Sequence, residues 1–504
     1  MAARRLRRPG ARRRGGGALA GVRYRAAPFC LASLVFALVG YELGRHPTNA
    51  IAFVGLVAAA SLFLFATDWP WLPFAAGLFL LAMVPVYWVP FTFHVLPLPG
   101  VVVLGMVAGA SVLACLSRRE SMTLSGLDVL VALLLLAMGL SAAVHERKFI
   151  EFFDNVLQWG VPYLAARISV GRIISATTFA RIFALSGLVL VPFVALEALT
   201  GQNLFARFSD NPAESLIWGL PLYRGSILRA QASFGQPIAL SMFLGSATAF
   251  AAALAIGGHP RASRERWAAA GIALGIATLA TVSRTGEVVL LVSLLGSALL
   301  FATSTVDYAT RRRALGFLAG AVGLLLVAVV VSSHTRTIAL SIFGSDSGAV
   351  GTATYRVNLL SVVGFKYFSW LGQQRSVFQQ AGVGSVDNTW LWMLSLWGVF
   401  ATALLLATLA PMVRHLTRRQ RQPSMRTVIV AVAAGNIVGL TFVVPITQEQ
   451  DVIFVLLGAA SAALVSGARA RSVGRDRDAR RRSTALDAEV YGHPGAAVPV
   501  TTGV

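Results

Sequence analysis

The sequence is a series of apolar runs of about 16 to 22 residues, separated by short polar turns. That length is close to the ~20 residues a helix needs to cross ~30 Å of hydrocarbon. Composition supports the same reading: 56% of residues are hydrophobic, 13% are charged and the mean hydropathy is +0.71. A soluble globule of 504 residues would need more polar surface than this. Period-two alternation is absent, which argues against a barrel, the other way to satisfy every backbone group in lipid. The expectation is an all-α, polytopic helical membrane protein with about fourteen transmembrane helices.

The first seven predicted spans are Pro28 to Leu43, Ala50 to Ala66, Trp71 to Val89, Leu96 to Leu116, Leu127 to Val144, Phe149 to Ala166 and Ile182 to Leu199. The other seven are Pro237 to Ile256, Trp267 to Val282, Glu287 to Ala302, Leu315 to Val331, Thr389 to Leu409, Thr427 to Val444 and Val452 to Val465. Threaded alternately with Met1 in the cytoplasm, they leave 32 of the 43 Lys and Arg inside and 11 outside. This is the positive-inside asymmetry, and it predicts a multi-pass protein of the cytoplasmic membrane with both termini cytoplasmic.

Topology thereby explains the net charge of +22, which taken alone would point to nucleic acid. The Arg-rich start resembles a signal peptide, but thirteen more runs follow and no A-x-A-type site stands out, so the first helix is read as uncleaved. Cys30 and Cys115 both lie in apolar runs without CxxC or CxxxH spacing, so neither a disulfide nor a metal site is expected.

The chain divides into a basic tail (1–25), membrane helices one to seven (26–199), a long outer loop (200–236), helices eight to eleven (237–331), a second long outer loop (332–388), helices twelve to fourteen (389–466) and a second basic tail (467–504). Both tails are Arg-, Gly- and Ala-rich without periodicity, which predicts disorder, with contact to anionic lipid as the alternative. The two long loops are where function is expected. Tyr355 to Phe368, in the second, suits a short amphipathic helix.

Charge at bilayer depth costs at least ~2.5 to 3.5 kcal/mol, so charged residues near the spans need a partner or a task. Arg284 lies in Ser283-Arg-Thr-Gly286, between the ninth and tenth runs. It either pairs with Glu287 on one helical face or binds an anion. Arg229 ends the first long loop and Arg356 lies in the second, each an exposed loop arginine or part of an anion pocket. A guanidinium is always charged and its fork matches phosphate oxygens, so several on one outer pocket would suit a pyrophosphate. Asp387 and Asn388 stand directly before the twelfth run, as helix N-caps or as a carboxylate and amide at the mouth of a cavity. Glu151, Asp154 and Glu197 lie within the sixth and seventh runs near the outer side.

Taken in order, Ser283-Arg-Thr-Gly286, Arg356-x-x-x-Leu360, Gly382-x-Gly384 and the pair Asp387-Asn388 followed by nine residues and Gly398 resemble the O-antigen ligase and polymerase family of bacterial envelope glycan enzymes. The likeness covers mainly Arg229 to Leu409. It departs from the ligases at Asp387, where they carry His, and at Ala401, where they carry a second Gly. The resemblance implies a membrane glycosyltransferase (GT-C type) fold, a polyprenyl-diphosphate-linked (undecaprenyl-type) glycan as donor and a glycan or glycolipid hydroxyl as acceptor. It implies no nucleotide sugar, no metal and no cofactor. In that picture Arg229, Arg284, Arg356 and Asn388 bind the donor and its pyrophosphate, and Asp387 orients or deprotonates the acceptor on the outer face, in envelope polysaccharide biosynthesis. The rival from another class is a lipid-linked glycan flippase or other multi-helix transporter, which embedded carboxylates would suit but which usually shows internal repeats.

Overall fold

The computed structural model describes residues 69–85, 99–117, 123–145, 148–207, 219–224, 227–257, 261–303, 316, 369–373, 388–418, 424–441, 443 and 448–466. They are mostly helical, and five helices are long and apolar enough to cross a membrane: Gly126–Val144, Ala176–Thr200, Pro237–Ile256, Gly398–Thr417 and Gln448–Ser466. The first two predicted spans, nearly all of the run from Leu315 to Val331, the helix expected at Tyr355 to Phe368 and both tails lie outside the described residues.

In chain order the helices are α1 (Leu72–Met83), α2 (Pro99–Ser117), α3 (Gly126–Val144), α4 (Phe149–Asn155), α5 (Val161–Ser169), α6 (Ala176–Thr200) and the short α7 (Leu204–Arg207). A two-stranded hairpin, β1 (Leu222–Arg224) and β2 (Ile227–Arg229), follows. Then come α8 (Pro237–Ile256), α9 (Arg261–Ala280), α10 (Arg284–Thr303), α11 (Thr389–Leu396), α12 (Gly398–Ala407), α13 (Leu409–Thr417), α14 (Met425–Gly439) and α15 (Gln448–Ser466).

Helix α8 is the axis of the bundle. It is apolar on all sides, and all of its residues except Ile238 and Ala255 are buried, against α6, α9, α10 and α14. Helix α3 shows the opposite arrangement. It buries Leu127, Val131, Leu134 and Met138 and exposes Val129, Leu133, Leu136 and Leu140, an apolar outward stripe that suits lipid rather than water.

Between helices in lipid the driving force is close packing, which small residues permit. A Cβ on Gly286 of α10 would stand 2.2 Å from Ser241 Cβ of α8, and one on Gly245 of α8 would stand 2.9 Å from the Gly286 carbonyl oxygen. Gly435 and Gly439 of α14, a GxxxG pair, meet Ser293 and Val289 of α10 in the same way, and Asn436 between them donates to Ser246 Oγ of α8 at 2.8 Å. Ser241, Ser246, Gly286 and Gly435 thus seat three helices at short axial separation.

A polar clamp ties α3, α5 and α15 together at one end of the bundle. Arg167 of α5 donates from Nε and Nη2 to Asp128 of α3 at 2.8 to 3.0 Å, and Tyr163 and Ser461 donate to the same carboxylate at 2.6 Å. Asp128 also closes a capping box with Ser125, so one carboxylate starts α3 and ties it to α5 and α15. Between α4 and α5 the helix widens into a π turn, Val156–Gly160. Pro162 has no N–H to give Gln158, and the wider register accommodates that gap.

The run expected as one helix from Thr389 to Leu409 is broken. Trp397 separates α11 from α12, and Gly398 has φ +86°. Residues 369–373 fill the break: Ser369 O accepts from Val399 N at 3.1 Å and Gln373 N donates to Ser395 O at 3.2 Å. A Cβ on Gly372 or Gly398 would fall within 2.1 to 2.3 Å of backbone, so both positions require glycine. Lys148, 1% exposed, donates to the Leu396 carbonyl released by the break and lies 5.6 Å from the centre of the Trp397 ring.

Two predictions follow from this packing. Gly286→Val should destabilise the protein by about 2 kcal/mol or more through overpacking, read as a lowered Tm in detergent. Gly109→Val, where an added Cβ meets nothing within 4 Å, is the control and should stay within about 0.5 kcal/mol of the parent. Burial lowers the Lys148 ammonium from its ordinary 10.5 to about 8, with Glu151 opposing the shift. From about pH 8 to 10.5 the unfolded chain therefore holds a proton the folded chain has released. Stability should rise with pH across that window and be level below it, and Lys148→Met should abolish the rise in thermal unfolding scans.

Candidate functional site

The hairpin is registered Leu222 to Arg229, Tyr223 to Leu228 and Arg224 to Ile227. Directly paired residues share a face, so Arg224 and Arg229 project to the same side and Tyr223 and Leu228 to the other. Both arginines are half-buried. Arg229 Nε donates to the Thr281 carbonyl at 3.4 Å, Arg224 Nη1 donates to the Val282 carbonyl at 3.3 Å, and Ala230 N donates to the Ala280 carbonyl at 3.3 Å. The hairpin is thereby fastened along the turn that ends α9.

Helix α10 begins at Arg284, earlier than the Glu287 expected from hydropathy, so Arg284 occupies the first helical position rather than the turn. The turn itself is tight: Val282 has φ +47°, rare for a β-branched residue. Glu287 N closes the first helical bond to Ser283 O at 3.3 Å. Within six residues, then, the chain places two carbonyls gripped by guanidinium groups and a helix N-terminus, whose first N–H groups and dipole favour an anion.

Of the expected site residues, Arg229 and the backbone of Arg284 are brought together here, joined by Arg224, which sequence reasoning passed over. Its signal was present: Gly225-Ser226 between Leu-Tyr-Arg and Ile-Leu-Arg is a two-residue hairpin loop signature. Asn388 is the N-cap of α11, accepting from Leu391 N at 3.1 Å and donating from Nδ2 to the Thr441 carbonyl at 3.0 Å. It lies at the same end of the bundle as the hairpin, because α14, which leads to Thr441, packs Gly439 against Val289 of α10 and Met242 of α8. Arg356 and Asp387 lie outside the described residues.

Buried carboxylates at this end were only partly foreseen. Glu197, 2% exposed, accepts from Gln231 N and Ala232 N at 3.1 and 2.7 Å. Asp154, half-buried, accepts from Gln158 Nε2 at 3.2 Å. Glu449 and Asp451 were expected in a loop, but α15 starts at Gln448 and buries both, 1% and 0% exposed, without hydrogen-bond partners among the described residues. Among the described residues, no three His, Cys, Asp or Glu side chains gather as metal ligands.

No protein-family model matches this chain, and no curated protein matches it either.

The cap gives a test of what Asn388 does. Asn388→Ala should cost about 1 kcal/mol of stability through loss of the N-cap, whereas Asn388→Asp, which keeps the accepting oxygen, should retain most of it, as read by thermal unfolding in detergent.

Proposed function

We propose that this chain is a membrane glycosyltransferase of the O-antigen ligase and polymerase type. In this reading it moves an oligo- or polysaccharide from a polyprenyl diphosphate to an acceptor hydroxyl on the outer face of the cytoplasmic membrane, within a fourteen-helix fold of the GT-C type. The observation that carries the reading is the gathering of Arg224 and Arg229 onto the turn that opens the helix beginning with Arg284.

In the proposed reaction the acceptor oxygen forms a bond to the anomeric carbon as the bond from that carbon to the pyrophosphate oxygen breaks. The hydroxyl proton passes to a base, for which Asp387 is the candidate, and the polyprenyl diphosphate leaves as the anion. Negative charge grows on the leaving oxygens. Guanidinium groups already held in place stabilise that charge without reorganising, and more so where water is scarce. Arg224 and Arg229 supply such groups, the α10 N-terminus supplies N–H donors, and Arg284 and Arg356 complete the set in this proposal. No metal enters the scheme, because the arginines take the place of a cation on the diphosphate.

The interrupted α11 and α12 favour a second reading, a transporter or flippase for a lipid-linked glycan, since broken helices with a nearby charge are a common arrangement in transporters. Here Lys148 is already engaged by the Leu396 carbonyl and the Trp397 ring, which fits a structural junction.

The deciding experiment uses purified protein in vesicles with a synthetic polyprenyl-diphosphate oligosaccharide, following new glycosidic bonds and released lipid diphosphate. Arg284→Ala and Arg229→Ala should each lower transfer about 100-fold or more while the protein inserts normally. Glycan crossing the bilayer with no new glycosidic bond would instead establish the transporter.

A further inference from the structure

The residues behind the hairpin are held from five directions. Ala230 N donates to the Ala280 carbonyl on α9, and Ser233 Oγ donates to the Ala82 carbonyl on α1 at 2.5 Å. Gln448 Nε2 of α15 donates to the Ser233 carbonyl at 3.0 Å, and Asn203 Nδ2 donates to the Ala232 carbonyl at 2.9 Å. The fifth hold is Glu197 of α6, whose single oxygen Oε2 accepts from both Gln231 N and Ala232 N. Four of these are neutral hydrogen bonds. Glu197 supplies a carboxylate, the strongest acceptor available, and spends it on two consecutive main-chain N–H groups.

Those two N–H groups belong to a backbone that does not hold its shape unaided. Ala232 has φ +43°, a left-handed conformation that costs a residue with a Cβ about 1 to 2 kcal/mol. Gln231, completely buried, uses its side-chain Nε2 to hold the Leu220 carbonyl at 2.9 Å, just ahead of β1. The carboxylate therefore fixes Gln231, Gln231 fixes the entry to β1, and β2 ends at Arg229, two residues before Gln231. Both strands of the hairpin are indexed to one side chain on α6.

We infer that Glu197 is a positioning residue for Arg229 and Arg224: by capturing the Gln231 and Ala232 N–H groups it holds the hairpin against the turn that opens α10. This rests on the transferase reading for its effect on activity, but the holding itself does not. An acid buried within a membrane helix would ordinarily be read as an ion-pair partner or as a proton carrier. Here it is held by the Gln231 and Ala232 N–H groups and the Asn203 side chain, so its role is to set where the hairpin stands rather than to balance a charge.

The test compares Glu197→Met, which keeps the side-chain volume and removes the acceptor oxygens, with Glu197→Gln, which keeps one acceptor oxygen, in the full-length protein in vesicles. Hydrogen–deuterium exchange over residues 219–236 should accelerate in Glu197→Met, with α8 and α14 unchanged, and return towards the parent in Glu197→Gln. With the synthetic polyprenyl-diphosphate donor, kcat/KM should fall about 100-fold in Glu197→Met, as expected for displaced catalytic groups. Adding Arg229→Ala should cost little more than the larger single loss. Exchange unchanged in Glu197→Met would overturn the inference outright, as would losses that multiply in the double variant. Arg229→Ala at full activity would instead sink the transferase role of Arg229 and, with it, the functional half of the inference, leaving the exchange result to decide the holding alone.

Discussion

The contact between Ser241 of α8 and Gly286 of α10 sets the geometry on which the candidate site depends. No side chain fits there, since even a methyl group on Gly286 would overlap Ser241, and the two helices therefore approach as closely as their backbones allow. Gly286 is only two residues into α10 from Arg284, so the approach also fixes the α10 N-terminus in space. The hairpin arginines are anchored to carbonyls just before that N-terminus, and Ser246 on the next turns of α8 receives Asn436 from α14. The Ser-Arg-Thr-Gly element thus places a close-packing residue, Gly286, two residues after the start of α10 at Arg284.

The second constraint is the handling of polar groups in an apolar interior, where each unsatisfied group costs about 1 to 3 kcal/mol. Several are given more than one partner. Asp128 accepts from Arg167, Tyr163 and Ser461, Glu197 accepts two main-chain N–H groups, and Gln448 donates to both Val84 and Ser233. Lys148 donates to the carbonyl released at a helix break, with the charge of Glu151 nearby. These bonds join helices far apart in sequence, so the polar groups specify register in a bundle whose apolar contacts alone would tolerate sliding. Glu449 and Asp451 are the carboxylates with neither oxygen bonded among the described residues, although both are buried.

What the sequence made legible follows from which physics leaves a local signal. Hydropathy sees length and polarity, so the run from Pro237 to Ile256 and helix α8 coincide, and Arg229 and Arg284 stood out as charges beside apolar runs. The break at Trp397 was invisible because it depends on φ at Gly398 and on residues 369–373 arriving from elsewhere in the chain. The start of α15 was set too late because a window penalises Gln448, Glu449 and Asp451, whereas burial by other helices decides their state. Arg224 was passed over because its significance lies in strand register with Ile227 and in the Val282 carbonyl, neither of which is a property of its neighbours in sequence. Glu197 was noticed as an acid in a helix, but its partners 34 and 35 residues away were not readable.

The choice of arginine at this end has a physical reading of its own. A lysine held by a carbonyl spends its point charge there, as Lys148 does at Leu396. A guanidinium carries five donors spread over a plane, so Arg224 and Arg229 can each give an N–H to the 281–282 turn without exhausting their donor set. Anchoring by main-chain carbonyls rather than by carboxylates also leaves the positive charge uncancelled by that bond. The turn between α9 and α10 therefore orients the two guanidinium groups, and the α10 N-terminus adds a positive field at the same place. In the proposed transferase, the diphosphate of the donor is the anion that this field would meet.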